Sequence, residues 1–221
     1  MTVNLWSEAE HARDYLARRK DLPHRLDGYA ALLEFLPATP RRVLDLGTGD
    51  GELMARVRVV HPGAEGLAVD FSDEMLGRAR ARFAEDPAVT VVEHDLDEPL
   101  PASWGTFDAV VSSFAIHHVD DARKRVLYGE IHERLMPGGV FCNLEHVSSP
   151  TPELHEAFLR ALGSSIDRDD PSNKLLDVAT QLAWFDELGF EQVDCHWKWR
   201  EMALLVGVRP PEPLSQRTSR A

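Results

Sequence analysis

The 221-residue chain is poor in cysteine, has no long apolar run and carries fewer basic than acidic residues. Its two cysteines, Cys142 and Cys195, show no metal-ligand spacing with histidine, which argues against a structural zinc site and favours a reducing compartment. No apolar run approaches the length that spans a bilayer. A formal charge of −13, from 24 basic and 37 acidic residues, disfavours a nucleic-acid partner, because phosphates need clustered Lys and Arg.

The composition that remains is that of an ordinary globular protein, with 43% hydrophobic and 28% charged residues. A chain of this length is expected to form one domain with a sizeable core. Residues 1–12 are polar and acidic, unlike a signal peptide or a membrane anchor. We therefore expect a cytoplasmic protein.

The most informative segment is an apolar strand, Val43–Leu46, that contains Asp45 and runs into a glycine-rich turn. The turn has glycine at alternate positions, Gly47, Gly49 and Gly51. Glycine permits positive φ and a close approach of the backbone to a ligand. The following helix, Glu52–Val60, directs its free N–H groups and the positive end of its dipole towards the same ligand. Strand, turn and helix together predict a nucleotide-type cofactor site.

The carboxylate of Asp45 decides which cofactor is expected. It would repel the pyrophosphate of a dinucleotide, whereas S-adenosylmethionine has no phosphate and carries an ammonium and a sulfonium. The glycine spacing is G-x-G-x-G and departs from the dinucleotide pattern G-x-G-x-x-G. Both features favour S-adenosylmethionine over a nicotinamide cofactor.

Acidic residues also end the next two apolar runs. Asp70 lies about twenty positions after the glycines, where a carboxylate can accept hydrogen bonds from both ribose hydroxyls, and Phe71 beside it can pack on adenine. The third run, Val89–His94, ends in Asp95 and Leu96. Taken singly, each aspartate could be a cap or turn residue, and the acidic loop around Asp95 could be merely solvated.

Two further blocks complete an ordered set. Phe107–Phe114 is an apolar strand followed by Ala115–Val119, which contains His117 and His118, and Leu135–Gly139 has the form L-x-P-G-G before a fifth strand. With the form hDhGxGxG around Asp45, these landmarks cover roughly half the chain. In this order they resemble the class I S-adenosylmethionine-dependent methyltransferases.

The resemblance implies a Rossmann-like α/β fold with a doubly wound, mostly parallel seven-stranded sheet and an antiparallel C-terminal hairpin. It implies S-adenosyl-L-methionine as cofactor, S-adenosyl-L-homocysteine as product, and a carboxylate at Asp95 that accepts from the adenine amino group. The residues expected to bind the cofactor are Asp45, Gly47, Thr48, Gly49, Asp70, Phe71, Asp95, Leu96 and Ser113.

The alternation of strand and helix patterns supports the same parallel sheet. Helices are predicted over Ser7–Lys20 and Arg25–Leu36, and the run Phe190–Val208 is predicted to be a hairpin that turns near residues 199–201. The domain organisation we expect is a helical cap at 1–40, a methyltransferase domain at 41–209 with a substrate-side insertion at 147–174, and a disordered tail at 210–221.

The resemblance places the acceptor site between the first two helices, the segment Ser113–His118 and the insertion. His146, just past the fifth strand, is the preferred general base, and His117 is a second candidate. Tyr15, Arg19 and His118 are candidate contacts of the substrate. For each of these residues a structural or solvated role is the alternative, and no metal is expected.

The function predicted is transfer of a methyl group from S-adenosylmethionine to an O or N atom of a small metabolite or natural product. An alternative is a non-methylating protein that kept the fold. The block Cys195–Arg200 also resembles a branch with wobble-uridine-modifying enzymes, which leaves a tRNA-linked relative using a cofactor derivative open. A homodimer is one option for the oligomeric state.

Overall fold

The computed structural model of the protein describes residues 22–211. Its α-helices are α1 Arg25–Glu34, α2 Glu52–Val60, α3 Asp73–Arg82, α4 Asp121–Arg134, α5 Pro152–Ala161 and α6 Val178–Glu187. Its strands are β1 Arg42–Leu46, β2 Glu65–Asp70, β3 Val89–Glu93, β4 Phe107–Ser113, β5 Leu135–His146, β6 Glu191–Trp199 and β7 Met202–Val208. Short 3₁₀ turns at Ala102–Trp104, Ile116–His118 and Ile166–Arg168 interrupt the connections.

The strands form a single seven-stranded sheet in the order β3-β2-β1-β4-β5-β7-β6. Neighbours from β3 to β5 are parallel, whereas β7 is antiparallel to both β5 and β6. The predicted fold class is therefore confirmed, including the hairpin that ends the sheet. The strand order reverses between β1 and β4, and open α/β sheets bind ligands at this switch point.

Successive side chains of each strand point to opposite faces, so the sheet has a core on each side. One core joins Leu44 and Phe141 to residues of α4 and α6. The other joins Val43 and Leu144 to residues of α1 and α2. The helices thus cover both faces of the sheet and leave the carboxyl ends of the parallel strands open. At these open ends, β1, β2 and β4 end in polar residues or beside them.

The fifth strand begins earlier than its sequence indicates. Pro137 and Gly138–Gly139 predict a loop before Val140, yet β5 starts at Leu135, directly after α4. The pairing with β4 shifts between Phe107 and Ala109, which accommodates the extra residues as an irregularity in the ladder. Gly139 is needed there, because a Cβ would lie 2.9 Å from the Met136 carbonyl oxygen.

Several predictions concern residues outside the described range. The helix Ser7–Lys20, the substrate contacts Tyr15 and Arg19, and the tail beyond residue 211 belong to this group. The described part of the expected N-terminal cap is α1, whose Tyr29 and Leu32 are buried against the sheet.

Candidate active site

A cavity of about 850 Å³, measured to its open mouth, lies at the switch point of the sheet. All nine residues predicted to bind the cofactor line it: Asp45, Gly47, Thr48, Gly49, Asp70, Phe71, Asp95, Leu96 and Ser113. They share the wall with residues of α1 and of the segment after β4, among them Arg25, Tyr29, Phe114 and His118.

The glycine turn between β1 and α2 is shaped by close packing. Gly47 has φ +65°, and a Cβ there would lie 2.2 Å from the Ala115 Cβ. A Cβ on Gly51, which has φ +80°, would lie 2.5 Å from the Phe83 ring. Gly49 also has positive φ but faces open space, with no atom of the described residues within 4 Å of a Cβ. Its side of the turn is the one that a ligand can approach closely.

Asp70, the last residue of β2, holds this turn in place. Its Oδ2 accepts a hydrogen bond from the Gly49 N–H at 2.8 Å, and its Oδ1 accepts from the Ser72 N–H at 2.9 Å. The Phe71 N–H also hydrogen-bonds this carboxylate, whose two oxygens together can accept a further bond from a ligand. Burial raises the pKa of Asp70, against the lowering effect of the Ser72 and Gly49 N–H groups.

Asp45 in β1 is fully buried in the cavity wall. The Thr48 hydroxyl donates to its Oδ2 at 2.6 Å, whereas its Oδ1 has no hydrogen-bond partner within residues 22–211. Burial raises the pKa of Asp45 to about 7, with the Thr48 hydrogen bond acting in the opposite direction. A buried acceptor without a donor is costly, and a cationic ligand would remove that cost.

The ends of β3 and β4 complete the wall. Asp95 Oδ1 accepts from the Asp97 N–H at 3.0 Å, which fixes the loop that also carries the buried Leu96. At the end of β4, the Ser113 hydroxyl donates to the Tyr29 hydroxyl of α1 at 3.2 Å. This bond joins the helical cover to the sheet at the cavity.

Arg25, Tyr29 and Phe114 are cavity residues that sequence reasoning missed. Arg25 is only 6% exposed, and its guanidinium lies over the Tyr29 and Phe114 rings, 5.2 and 5.7 Å from their centroids. Phe114 has φ +52°, a strained value for an aromatic residue that is typical of functional sites. The packing of α1 over the sheet brings these residues together, and no local sequence pattern indicates it.

Of the three candidate histidines, only His118 lines the cavity. Its Nδ1 lies 3.1 Å from the Ser172 Oγ, which in turn donates to Asp170 Oδ1 at 2.7 Å. Since the serine proton is directed at Asp170, His118 donates from Nδ1, and its Nε2 is the basic atom. Burial, and next the neighbouring His117, holds the pKa of His118 well below its usual value, so the ring is neutral at pH 7.

His117 and His146 lie behind His118 and away from the cavity wall. His117 Nδ1 is 2.6 Å from Oε1 of the buried Glu145, and its ring centroid is 4.0 Å from that of His118. Burial lowers the pKa of His117 well below the usual value and raises that of Glu145 to about 7. The His117–Glu145 pair thus supports the 3₁₀ turn that presents His118.

His146 links this pair to a polar cluster on the side of the insertion, since its ring centroid is 5.4 Å from that of His117 and its backbone N–H donates to Glu145 Oε1 at 2.8 Å. Its Nε2 is 3.0 Å from Oε2 of the buried Glu201, whose carboxylate also bonds His155 Nδ1 at 3.0 Å. His155 Nε2 reaches Asp169 at 3.2 Å. Burial alone would lower the pKa of His155, but the hydrogen bond to Glu201 and the charges of both carboxylates outweigh it and raise the pKa. The cluster fastens α5 to the turn between β6 and β7.

Within residues 22–211, no group of three or more His, Cys, Asp and Glu side chains is arranged to hold a metal ion. The helices of the same range include none that is long and apolar enough to cross a membrane.

Comparison with known proteins identifies the family. Residues 43–139 match the methyltransferase domain family. A demethylmenaquinone methyltransferase of Clavibacter sepedonicus is 30% identical over 173 residues, which cover 72% of this chain and 69% of the relative. The chain belongs to the class I S-adenosylmethionine-dependent methyltransferases.

One further relative agrees with this assignment, and a solved structure shares the fold. A demethylmenaquinone methyltransferase of Thermus thermophilus is 36% identical over 144 residues, so that the match covers 61% of this chain and 64% of that relative. Among solved structures, an O-methyltransferase family protein from Burkholderia thailandensis superposes with a TM-score of 0.72 at 19% identity. The superposition covers 94% of this chain and 62% of the Burkholderia chain. The methyltransferase thus spans under two thirds of the length of some proteins that it matches.

The cavity of the methyltransferase fits the cofactor that names its family. The bare Asp45 Oδ1 suits an ammonium, the lone pairs that remain on Asp70 suit the ribose diol, and the open face of Gly49 leaves room for the ligand beside the backbone. The cavity-lining residues Asp45, Gly49 and Asp70 were all predicted from the sequence.

Proposed function

We propose that the methyltransferase transfers a methyl group to an O or N atom of a small-molecule acceptor, with His118 as general base. The observation that carries this is the position of His118, whose ring lines the cavity while Ser172 and Asp170 fix its tautomer. We thus assign the catalytic role to His118, which the sequence suggested as a substrate contact, while His146 and His117 stay predictions as general bases.

S-adenosylmethionine supplies an electrophilic methyl group on its sulfonium. The residues of the chain then have two tasks: to align the acceptor atom with the methyl carbon and to remove the acceptor proton. The neutral Nε2 of His118 can accept that proton. The Ser172 and Asp170 oxygens behind Nδ1 stabilise the imidazolium that forms, because both are acceptors.

A small acceptor is supported by what surrounds His118. The cavity that His118 lines also has apolar and aromatic surface, contributed by residues such as Tyr29, Phe114 and Val119. The formal charge of −13 opposes the phosphate backbone of a nucleic acid. We accordingly place the reaction on a metabolite in the cytoplasm.

A second candidate is methylation of a ring carbon in an aromatic hydroxy compound. The names of the two relatives at 36% and 30% identity, both demethylmenaquinone methyltransferases, favour it. Removal of a phenolic proton by His118 would activate either the oxygen or the adjacent ring carbon. The same residue therefore serves both candidates, and the product distinguishes them.

The proposal is tested by incubating the full chain with S-adenosylmethionine and separate pools of phenols, hydroquinones, amines and carboxylic acids. Formation of S-adenosylhomocysteine that depends on one pool supports it, and mass spectrometry with NMR then locates the new methyl group. A matched pool of bulk tRNA tests the alternative. Turnover with tRNA alone, or binding without turnover in every pool, would contradict the small-molecule assignment.

A further inference from the structure

A buried carboxylate fastens the insertion to the rest of the fold. Glu201, in the turn between β6 and β7, is fully buried. Its carboxylate is hydrogen-bonded by the side chains of His146 at the end of β5, Ser149 in the following loop and His155 in α5. Burial alone would raise the pKa of Glu201, but these hydrogen bonds outweigh it and lower the pKa, so the carboxylate is ionised at neutral pH.

His155 lies between this carboxylate and a second one. Its Nδ1 is 3.0 Å from Glu201 Oε1, and its Nε2 is 3.2 Å from Asp169 Oδ2. Ionised carboxylates only accept hydrogen bonds, so both ring nitrogens must donate, and the imidazolium is the form of histidine that does so. We call the two bonds of His155, to Glu201 and to Asp169, the His155 bridge.

Charged and titratable groups from several elements surround the His155 bridge. Those with contacts there or beside it are Glu201 and Arg200 of the β6–β7 turn, His146 of β5, Asp169, and Glu156 and Arg160 of α5 itself. Arg200 donates to the Ala157 carbonyl of α5, at 3.3 Å. The two carboxylates bonded to His155 outweigh burial and raise its pKa.

Asp169 begins a short loop that supports the proposed general base. Asn173 Nδ2 donates to Asp169 Oδ1 at 3.4 Å, which closes the 169–173 loop. Inside the loop, Asp170 Oδ1 accepts from the Ser172 N–H at 2.9 Å and from its hydroxyl at 2.7 Å. Ser172 Oγ lies 3.1 Å from His118 Nδ1. The position of the loop therefore sets the hydrogen bond that fixes the tautomer of His118.

Contacts hold the 169–173 loop at both ends. Just after its C-terminal end, the Lys174 N–H donates to the His117 carbonyl at 2.8 Å, and Lys174 Nζ pairs with Asp120 at 3.1 Å. At its N-terminal end, Asp169 is held by His155. Loss of the His155 bridge would therefore loosen the loop beside the proposed base while its other end stays fixed.

We propose that Glu201 and His155 are positioning residues, which act through Asp169 to hold the loop that fixes the tautomer of His118. The inference rests on the proposed function, because that function makes His118 the base. Neither residue lines the cavity. Their effect on the reaction therefore passes through the 169–173 loop, and cofactor binding should not depend on them.

The His155 bridge should weaken at alkaline pH. The pKa of His155 is raised above 6.5, so the bridge is fully present below pH 6.5 and is lost as pH rises through the raised value. A neutral ring donates from one nitrogen and must release one carboxylate. The side chain of Asp169 is 25% exposed, so water can replace its bond, whereas Glu201 is buried. Deprotonation of His155 therefore releases Asp169.

The test reads the tautomer of His118 directly, with no acceptor needed. NMR of isotope-labelled ring nitrogens in the ligand-free full chain shows which nitrogen carries the proton, and the spectrum of His118→Gln identifies the signals. We expect the proton on Nδ1 in the wild type. In Glu201→Gln and in Asp169→Ala, the ratio of Nδ1–H to Nε2–H forms should fall about tenfold, as loss of the bond to Ser172 predicts.

Glu156→Gln is the matched control. It removes a carboxylate from the residue next to His155, one that pairs with Arg160 at 3.3 Å and is not part of the His155 bridge. The tautomer ratio of His118 should not change in this variant.

His155→Gln adds a pH profile. It removes the charge, so it should give the low ratio at pH 6 and at pH 9 alike, whereas the wild-type ratio should fall towards it as pH rises. Burial raises the pKa of Glu145 to about 7, so Glu145 titrates in the same range. It does so in both proteins, and the difference between them therefore reports His155.

A fall of the ratio in Glu201→Gln, Asp169→Ala and His155→Gln, with an S-adenosylhomocysteine affinity within about twofold of wild type, supports the inference. An unchanged ratio in these variants, or the same pH course in wild type and His155→Gln, overturns it and leaves the cluster a role in stability alone. Asp169→Ala decides the matter if Glu201→Gln does not fold, because Asp169 is partly exposed.

Failure of the proposed function gives a different result. A wild-type His118 that carries its proton on Nε2 would not be the base described above, whatever the variants do, and the inference would fall with that function. Normal turnover by His118→Gln would likewise contradict the base itself, whereas the tautomer ratios of the Glu201 and His155 variants test the positioning role alone.

Discussion

The Asp70 carboxylate and the Gly49 N–H, 21 positions apart in the chain, are joined by a hydrogen bond of 2.8 Å. One aspartate therefore shapes the glycine turn, and we propose that it also presents oxygen lone pairs to the ribose of a bound cofactor. The two tasks are coupled, because a turn that loosens also moves Gly49 and Thr48, which line the same cavity.

Replacement of Asp70 should separate shape from charge. Asp70→Ala removes both acceptors, and we expect the affinity for S-adenosylhomocysteine to fall by roughly 100-fold or more. Asp70→Asn keeps one acceptor oxygen for one of the two backbone N–H groups. It should therefore give an intermediate loss of affinity for S-adenosylhomocysteine. Calorimetry measures both; equal affinities of Asp70→Ala and wild type would show that Asp70 does not contact the ligand.

Asp45→Asn should stabilise the ligand-free protein and impair binding. The folded-state pKa of Asp45 is raised from 3.8 to about 7, so its stabilising contribution is present below pH 3.8 and is lost as pH rises through about 7. Removing the buried charge should therefore raise the free energy of unfolding by on the order of 1–3 kcal/mol at pH 8, and by less at pH 5. Chemical denaturation at the two pH values measures this, and a variant less stable than wild type at pH 8 would count against an unpaired Asp45.

Cofactor binding should release a proton below neutral pH. The ammonium needs an ionised Asp45, whose pKa is about 7 in the ligand-free protein. The affinity for S-adenosylhomocysteine should thus fall by about tenfold for each pH unit below 7. Calorimetry in two buffers of different ionisation enthalpy counts the protons. Asp45→Asn is the control, and its remaining affinity should not follow pH in this range.

The glycines of the turn should respond differently to alanine. Gly47→Ala places a Cβ 2.2 Å from that of Ala115, so we expect marked destabilisation of the fold. Gly49→Ala meets no described atom and costs only its backbone conformation, about 1–2 kcal/mol, but its methyl group fills ligand space. Unfolding curves and S-adenosylhomocysteine affinities of the pair check this. Unchanged binding by a folded Gly49→Ala would place the ligand elsewhere.

His118 should govern turnover without governing cofactor binding. His118→Gln is expected to lower kcat by about 100- to 10,000-fold, the range of a lost general base, at nearly unchanged S-adenosylhomocysteine affinity. Ser172→Ala should lower kcat less, since the His118 base remains but its tautomer is no longer fixed. Because burial holds the pKa of His118 well below 6.5, the wild-type rate should not fall as pH drops from 8 to 6.5. If His146→Gln lowers kcat more than His118→Gln does, His146 is the general base, as predicted from the sequence.

The cofactor half of the site was predictable because it is local in sequence. The Asp45–Gly51 segment combines strand, turn and helix start, and Asp70 and Asp95 follow at the ends of successive strands. Parallel strands bring their carboxyl ends to one edge, so the order of the runs alone places these residues together.

The rest of the cavity wall was not predictable in the same way. Arg25 reaches the cavity through the packing of α1 on the sheet, and Ser172 reaches His118 across 54 positions of chain. Such contacts depend on long-range packing that no spacing encodes. The choice of His146 as general base stays a prediction, although its side chain bonds Glu201 of the β6–β7 turn and does not line the cavity.

Thermal unfolding with S-adenosylhomocysteine, S-adenosylmethionine and NAD in parallel tests the cofactor site most directly. A ligand at a concentration of a hundred times its dissociation constant adds about 2.7 kcal/mol to the free energy of unfolding. For a domain of this size, that raises the unfolding temperature by roughly 5–10 °C. We predict this shift with the first two ligands and its loss in Asp70→Ala. A shift with NAD alone, or an equal shift in Asp70→Ala, would contradict the account.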